Sequence, residues 1–530
     1  MQIKARKFAA AKLIWFSFFL YFFMALNSNN FFVDNEIGTL KKLLIHSPDG
    51  GIGKIIPSTF SDNLYDDIVD IKKMREEYND YVKLLLHFLD PKKAAYVTAY
   101  EKANSKAETK YCYVPGHADY FNSDAVIEVQ YILALILKLP EVKIRLVSAI
   151  CSYEETSFAI QQKLEQIDDV HLLAKILISG VLPASISGTN EEEYIFPPCP
   201  NFIFTRDICI TLKDHVLLSK MAKNARKRDS LITKYLLLYY FFKNDNNKII
   251  EVTEDSDFFL YEEQERKQRV ISIEGGDVMM IAPNHLLIGC SERTSPNAVN
   301  EVIHEIFKNT EIGIAKISVV KIPKARAQMH IDTIFTQVKK NVWVLYGIYS
   351  ERLMGQENGK KKSYLNNLTH KPDKGFDEKP EILQYYKKVG TTYCVTENYA
   401  LDINPKGIED LLTQISVEDF GCDVNEVKII YSGDNKFPFD DREQWTDSCN
   451  VVALKEGVVI GYDRNHKTAE AFVKAGFNVI TTAALFEAFA TGMAAPNTIK
   501  NMLILLPSAE LSRARGGSHC MSMPLWRDQI

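Results

Sequence analysis

The chain has 530 residues, 46% hydrophobic and 25% charged, a globular composition with room for roughly two to four domains or one closed architecture. Its 63 basic and 68 acidic residues leave a formal charge of −5 without a concentrated basic stretch, which argues against a polyanion-binding surface and nucleic-acid partners. The 9 cysteines show neither C-x-x-C spacing nor a His/Cys cluster. That pattern argues against structural zinc and fits reduced thiols in a reducing, cytoplasmic setting.

At the N-terminus Lys4, Arg6, Lys7 and Lys12 precede an apolar run, Leu13–Leu26. The run falls short of the ~20 residues a membrane helix needs. A basic flank before a short apolar run suits a signal peptide, but Asn27 is a poor cleavage-site residue. An upstream extension with a working start at Met24 is the preferred reading. A signal or anchor, with residues 1–26 associated with a membrane, is the rival. Residues 1–36 are thus set apart from a body over 37–530.

Within the body, Gly38–His46 reads as a strand and Asp66–Leu89 as a helix. From about 122 to 186 the pattern changes, with Val129, Ile132, Leu133, Leu135 and Ile136 recurring at helical spacing, which predicts an insertion of packed helices. Ile208–Leu212 and His215–Ser219 form a hairpin followed by a helix from about Arg226. Val278–Ile281 and Leu286–Gly289 form another; Ser295-Pro296 then caps a helix to about Phe307, and Ile317–Ile322 is a strand. Thr333–Gln337 pairs with Val342–Tyr346, and the lysine-rich Glu357–Lys374 reads as a solvated loop. Val451–Leu454, Val458–Tyr462, the helix Lys467–Ala475 and the strand Asn478–Thr481 repeat the order ββαβ. Four or five such units predict an α/β fold closed into a ring, which removes exposed sheet edges.

Four islands carry candidate chemistry. Asn201-Phe-Ile-Phe-Thr-Arg-Asp207, Glu274-Gly-Gly-Asp277 and His330-Ile-Asp332 stand just before or at the first strand of a hairpin, positions that a ring turns toward one axis. The fourth, Arg513-Ala-Arg-Gly-Gly-Ser-His-Cys520, joins a cysteine to glycines that permit close backbone approach and arginines that would favour a thiolate. Asp207 and Asp332 are the pair suited to a guanidinium, which is planar, cationic and rich in donors. His330 shares a face with Asp332 if the segment is extended, and is the candidate for proton transfer. Glu274 is placed to bond His330 and raise its pKa.

Together the islands resemble the arginine deiminases of the guanidino-group-modifying superfamily, over about Gly38–Arg527 with gaps in the helical insertion and around 350–420. The resemblance implies a pseudo-fivefold α/β propeller of ββαβ units. It also implies hydrolysis of L-arginine to citrulline and ammonia, with Cys520 as nucleophile and a covalent S-alkylthiouronium. Catalytic roles fall on Cys520, His330, Glu274, Asp207 and Asp332. Arg226, ambiguous with Arg228, and Arg293 match the substrate-carboxylate ligands. Asp277 matches the residue near the α-ammonium, Asn201 and Phe204 match pocket walls, and Arg515 lies on the loop that closes over arginine in relatives. Neither metal nor organic cofactor is implied, and a homo-oligomer is expected. Arg442-Glu-Gln-Trp445 and Tyr462-Asp-Arg-Asn465 are assigned structural roles.

The chain departs from the family pattern at Ala514, where relatives usually have glycine, and at Phe486–Pro507, most of which relatives lack. An amidinotransferase with a similar Cys/His/Asp set, and a non-catalytic arginine-binding protein, are the alternatives. Citrulline formed from arginine without an amine acceptor separates the first, and the intact residue set argues against the second.

Overall fold

The computed structural model describes residues 31–48, 51–58, 60–188, 190–243, 245–253, 262–350, 380–388, 399–402 and 405–530. The apolar run Leu13–Leu26 and the lysine-rich Glu357–Lys374 lie outside the described residues. No helix among those described is long and apolar enough to cross a membrane, and no disulfide links the described cysteines.

The structure is α/β, and five of its sheets repeat one topology. In each, an antiparallel pair is followed by helix and then by a strand parallel to the second of the pair. The first sheet joins the chain's two ends: β20 (Met523–Arg527) runs antiparallel to β1 (Leu40–Ile45), and β2 (Val126–Glu128) lies parallel to β1. A small hairpin, β3 (Val181–Leu182) with β4 (Glu193–Tyr194), stands apart. The second sheet is β5 (Cys209–Leu212), β6 (His215–Leu218) and β7 (Ile249–Glu251). The third is β8 (Val278–Ala282), β9 (His285–Cys290) and β10 (Lys316–Lys321), widened by β13 (Glu381–Lys387) and β14 (Tyr399–Asp402). The fourth is β11 (Phe335–Lys339), β12 (Val342–Leu345) and β15 (Lys428–Tyr431).

The fifth sheet corrects the sequence reading. β16 (Val452–Lys455) and β17 (Val458–Tyr462) pair as expected, but β18 (Asn478–Thr481) is not beside β17. The place is taken by β19 (Met502–Leu506), a fully apolar strand parallel to both neighbours. The stretch 486–507 is therefore built into the sheet: the helix Thr482–Ala490 carries the chain over and β19 returns through the middle.

Local chemistry explains most element ends. Ser295 Oγ accepts from the Ala298 N–H with Pro296 at the first helical position, and Asp169 and Gly180 bracket the helix Val170–Ser179. The helix expected from Asp66 begins at Ile71, because the Asp70 carboxylate accepts from the N–H groups of Lys72 and Lys73. That leaves Asp66 in the preceding loop. Four helices between Val129 and Ser179 form the expected insertion, while 126–128 belongs to the first sheet. Residues 31–36, grouped above with the N-terminal extension, are part of the body. Phe31 packs on Phe241 and Phe242, Phe32 bridges to Trp526, and Glu36 is buried against Arg206.

Ile504 is fully buried in β19, whereas Met493 in the same stretch is 75% exposed. Ile504→Ala is expected to lower unfolding stability by about 2–5 kcal/mol, and Met493→Ala by less than ~0.5 kcal/mol. Denaturant titration checks the pair, and equal small effects would remove β19 from the core.

Candidate active site

Four sheets receive a candidate residue on the turn entering their first strand. Asp207 lies in the turn Thr205–Ile208 ahead of β5, and Glu274 with Gly275–Asp277 ahead of β8. His330 and Asp332 precede β11, and Cys520 precedes β20. The remaining sheet supplies a residue the sequence reading missed. Asn450, just ahead of β16, donates from Nδ2 to Cys520 Sγ at 3.1 Å and accepts the Cys520 N–H at 2.9 Å. Its signal was positional: it occupies the place before a hairpin that the other islands occupy.

The side chains meet around a cavity of about 20 Å³ lined by Asn201, Phe204, Asp207, Arg226, Glu274, Arg293, His330, Arg515 and Cys520, together with Leu64, Arg326, Met329 and Thr333. Nine of the predicted residues thus reach one space. Asp332 stands behind it, Oδ2 at 3.4 Å from Cys520 Sγ and 2.9 Å from His519 Nδ1. Asp277 does not reach the cavity wall. It is fully buried, with Oδ1 accepting the Ile331 N–H at 2.9 Å and Oδ2 accepting from Ser291 Oγ at 2.6 Å. Burial pushes its carboxyl up to about 6, against His330 and its hydrogen-bond donors. Both contacts tie it to the loops that carry Ile331 and Ser291.

That loop also departs from expectation. Residues 331–333 form a single 3-10 turn, fixed by Asp277 and by Thr333 Oγ1 donating to the His330 carbonyl at 2.6 Å. His330 and Asp332 therefore share no strand face. His330 turns to Glu274, Nε2 to Oε2 3.0 Å, while Asp332 turns to Cys520. Gly276 permits the approach, since a Cβ there would lie 2.6 Å from His330 Nδ1 and 3.0 Å from Asp207 Oδ1.

Arg226 lies across the carboxylates. It bonds Asp207 Oδ2, stands 3.2 Å from Asp229 and 3.8 Å from Glu274, and donates to the Asn201 carbonyl at 3.0 Å. Arg228 points away to Glu154 and Cys199, so Arg226 is the member of the pair at the site. Asn201 Nδ2 is used in the wall, donating to the Asn63 carbonyl at 2.8 Å.

The charges are strongly biased. Burial disfavours a cationic His330, but Asp207, Glu274 and Asp277 outweigh it and lift its pKa to about 10. Burial would likewise raise Glu274, yet His330, Arg226 and Arg293 hold it to about 2. The Cys520 thiol is driven well above its ordinary value by burial and by Asp332, Asp207 and Asp447. The thiolate-favouring arginines expected from the motif do not act on it. Arg513 pairs with Asp67 at 2.6 Å, and the Arg515 guanidinium lies against Trp445. Among the described residues, Asp207, Glu274 and His330 form one group with ligand atoms within 4.8 Å of one another. Arg226 and the His330 proton already balance its carboxylates.

Buried carboxylate oxygens without a hydrogen-bond donor include Asp207 Oδ1 and Asp332 Oδ1 beside Cys520, with Asp229 Oδ1 and Asp447 Oδ2 farther out. On the cationic side Arg293 Nε and Arg515 Nε and Nη1 are also without acceptors. Such vacancies cost stability unless a ligand fills them. The arrangement defines an α/β protein with a buried cysteine set among a protonated histidine, carboxylates and arginines.

A model of the arginine deiminase family matches residues 148–527, and the chain belongs to that family. It is 25% identical over 508 residues to the arginine deiminase of Mycoplasma capricolum subsp. capricolum, covering 94% of this chain and 97% of that protein. Among solved structures it is similar to SxtG, an amidinotransferase from Microseira wollei in the saxitoxin biosynthetic pathway. That match has a TM-score of 0.43 and 10% identity, over 94% of this chain and 98% of the other. A dimethylarginine dimethylaminohydrolase adduct with 4-chloro-2-hydroxymethylpyridine gives a TM-score of 0.38 at 12% identity, over 91% and 99%.

His330 is expected to remain protonated to about pH 10, readable in its imidazole carbon shifts, and Glu274→Gln should lower that midpoint. A folded pKa raised above the unfolded ~6.5 adds stability that is full below that value and lost as pH rises through the folded pKa. A midpoint near neutrality would break the proposed ion cluster.

Proposed function

We propose that this chain hydrolyses L-arginine to citrulline and ammonia at the cavity around Cys520. The observation that carries the reading is the pair of buried, donor-less oxygens on Asp207 and Asp332, both of which act electrostatically on Cys520. A guanidinium is the side-chain-sized cation with enough donors to serve both. Family membership supports the same substrate, as does the relative's name.

The free-state thiol is neutral through burial and the nearby carboxylates, and a cation arriving between the carboxylates offsets their part. With the guanidinium seated, the thiol proton has Asp332 at 3.4 Å to pass to, and the sulfur attacks the guanidinium carbon. His330, protonated in the free enzyme, gives its proton to the departing nitrogen, and ammonia leaves. The S-alkylthiouronium stays on Cys520. Neutral His330, oriented by Glu274, then takes one proton from the water that adds to the same carbon. Collapse passes the remaining hydroxyl proton to the departing sulfur and releases citrulline, and the proton held by Asp332 goes to the freed ammonia. Arg293, short of an acceptor on Nε, is assigned the substrate carboxylate, with Arg515 beside it. Arg226 is assigned to holding Asp207, Asp229 and Glu274 in place.

We propose also that the five like sheets stand around one axis as a five-bladed α/β propeller forming a single catalytic body. Three features support this: their common topology, the pairing of β20 with β1, and a site residue on the turn entering each first strand.

Purified protein with arginine alone should release ureido product and ammonia, and Cys520→Ser should lose at least about 1,000-fold in turnover. Product dependent on an added amine would point to amidino transfer, and retention of a tenth of the activity would remove Cys520 as nucleophile. Arg293→Ala should raise KM for arginine more than it lowers kcat, since a carboxylate contact is alike in ground and transition states. Agmatine, without that carboxylate, should be a poor wild-type substrate; efficient agmatine turnover contradicts the assignment.

A further inference from the structure

Trp445 ends the helix Phe439–Trp445. Its neighbours do structural work there. Glu443 accepts the N–H groups of Lys467 and Thr468 at 2.8 and 2.7 Å, and Gln444 donates to the Ala327 carbonyl at 2.8 Å. Trp445 is different, being 42% exposed, too open for a core residue. Its ring carries instead the guanidinium of Arg515, whose central carbon lies 3.5 Å from the ring centroid.

Arg515 occupies a singular position. It lines both the cavity of about 20 Å³ at Cys520 and an outer hollow of about 710 Å³ lined by Asp66, Trp445 and Arg513 among others. A cavity of the inner size holds about one water. Arginine therefore fits only if the lining moves, and Arg515 is the residue common to both linings.

Besides the buried Asp447 carboxylate, which attracts it through charge, little else fixes the guanidinium. Its Nε and Nη1 have no hydrogen-bond partner. Its ion pair to Asp66 is long, 3.7 Å, and Asp66 is already held by Arg326 at 3.1 Å. Arg515 also sits at φ +64°, a left-handed conformation that a non-glycine residue adopts at a cost. A cation over an indole face is held electrostatically, more strongly as water is excluded.

We propose that Trp445 is the positioning residue of the substrate-carboxylate site: its indole face parks Arg515 between the two hollows, ready to meet the carboxylate of an amino acid passing inward. The inference rests on the arginine reading above. It assigns a role in binding to a residue whose motif otherwise serves the fold.

The test is a double-mutant cycle on arginine KM, repeated as arginine Kd by calorimetry in Cys520→Ser, where turnover is absent. Trp445→Leu should weaken arginine about 3- to 30-fold, the range of a cation–π contact, with a smaller change in kcat. Trp445→Phe should restore most of the loss. In an Arg515→Ala background, Trp445→Leu should add less than about twofold, because the coupled partner is gone. The full loss appearing again in that background, or a fall in kcat at unchanged KM, overturns the proposal. If Trp445→Leu does not fold, Trp445→Phe carries the cycle: a small rise in KM that vanishes with Arg515→Ala supports it, and an undiminished rise overturns it. Absence of arginine binding in both the wild type and Cys520→Ser overturns the functional reading and this proposal with it; binding with additive effects overturns the proposal alone.

Discussion

The structure depends on holding several ionised groups out of water, with oxygens of Asp207 and Asp332 left without a donor. An unpaired buried carboxylate takes up a proton unless a cation or donors compensate it. Arg226 provides that compensation for Asp207, Asp229 and Glu274, and protonated His330 reinforces it. On the other side Arg206 bonds Glu36 at 2.5 Å and His519 Nε2 at 2.7 Å. Because an arginine only donates, His519 must accept there and donate from Nδ1 to Asp332. Asp207 and Asp332 are thus each tethered through Oδ2, while their Oδ1 atoms have no donor.

This deficit accounts for both binding and release. A guanidinium brings positive charge and several donors, and it relieves the repulsion that keeps the Cys520 thiol protonated. A ureido product is neutral, so it returns less to the same oxygens. The thiol is held neutral by burial and by the neighbouring carboxylates, and a bound cation offsets the carboxylates' part.

The scaffold delivers these groups by a repeated device. Each lies on a short turn whose backbone is pinned by the strand that follows and by buried side chains such as Asp277 and Asn450. Gly517 belongs to the same device, because a Cβ there would lie 2.5 Å from the Asn450 carbonyl oxygen. Convergence therefore comes from the hairpins' placement, and each turn can differ in sequence without moving its neighbours.

By itself the sequence determined the repeating ββαβ order, the helical insertion, the hairpins and the residue types that gather at the cavity. These are written in local periodicity, caps and residue type, which act over a few residues. Tertiary structure alone decided which partners those residues have. Arg226, expected to meet the substrate carboxylate, is paired with Asp207 here. Asp277, expected near the α-ammonium, accepts from Ile331 N–H and Ser291 Oγ. Arg513 and Arg515 looked like activators of Cys520 and proved to be turned to Asp67 and Trp445. β19 looked like surplus chain and proved to be a central strand. A charged side chain has no direction in sequence; only the folded neighbourhood, by supplying or withholding its counter-charge, decides whether it serves the fold or the substrate.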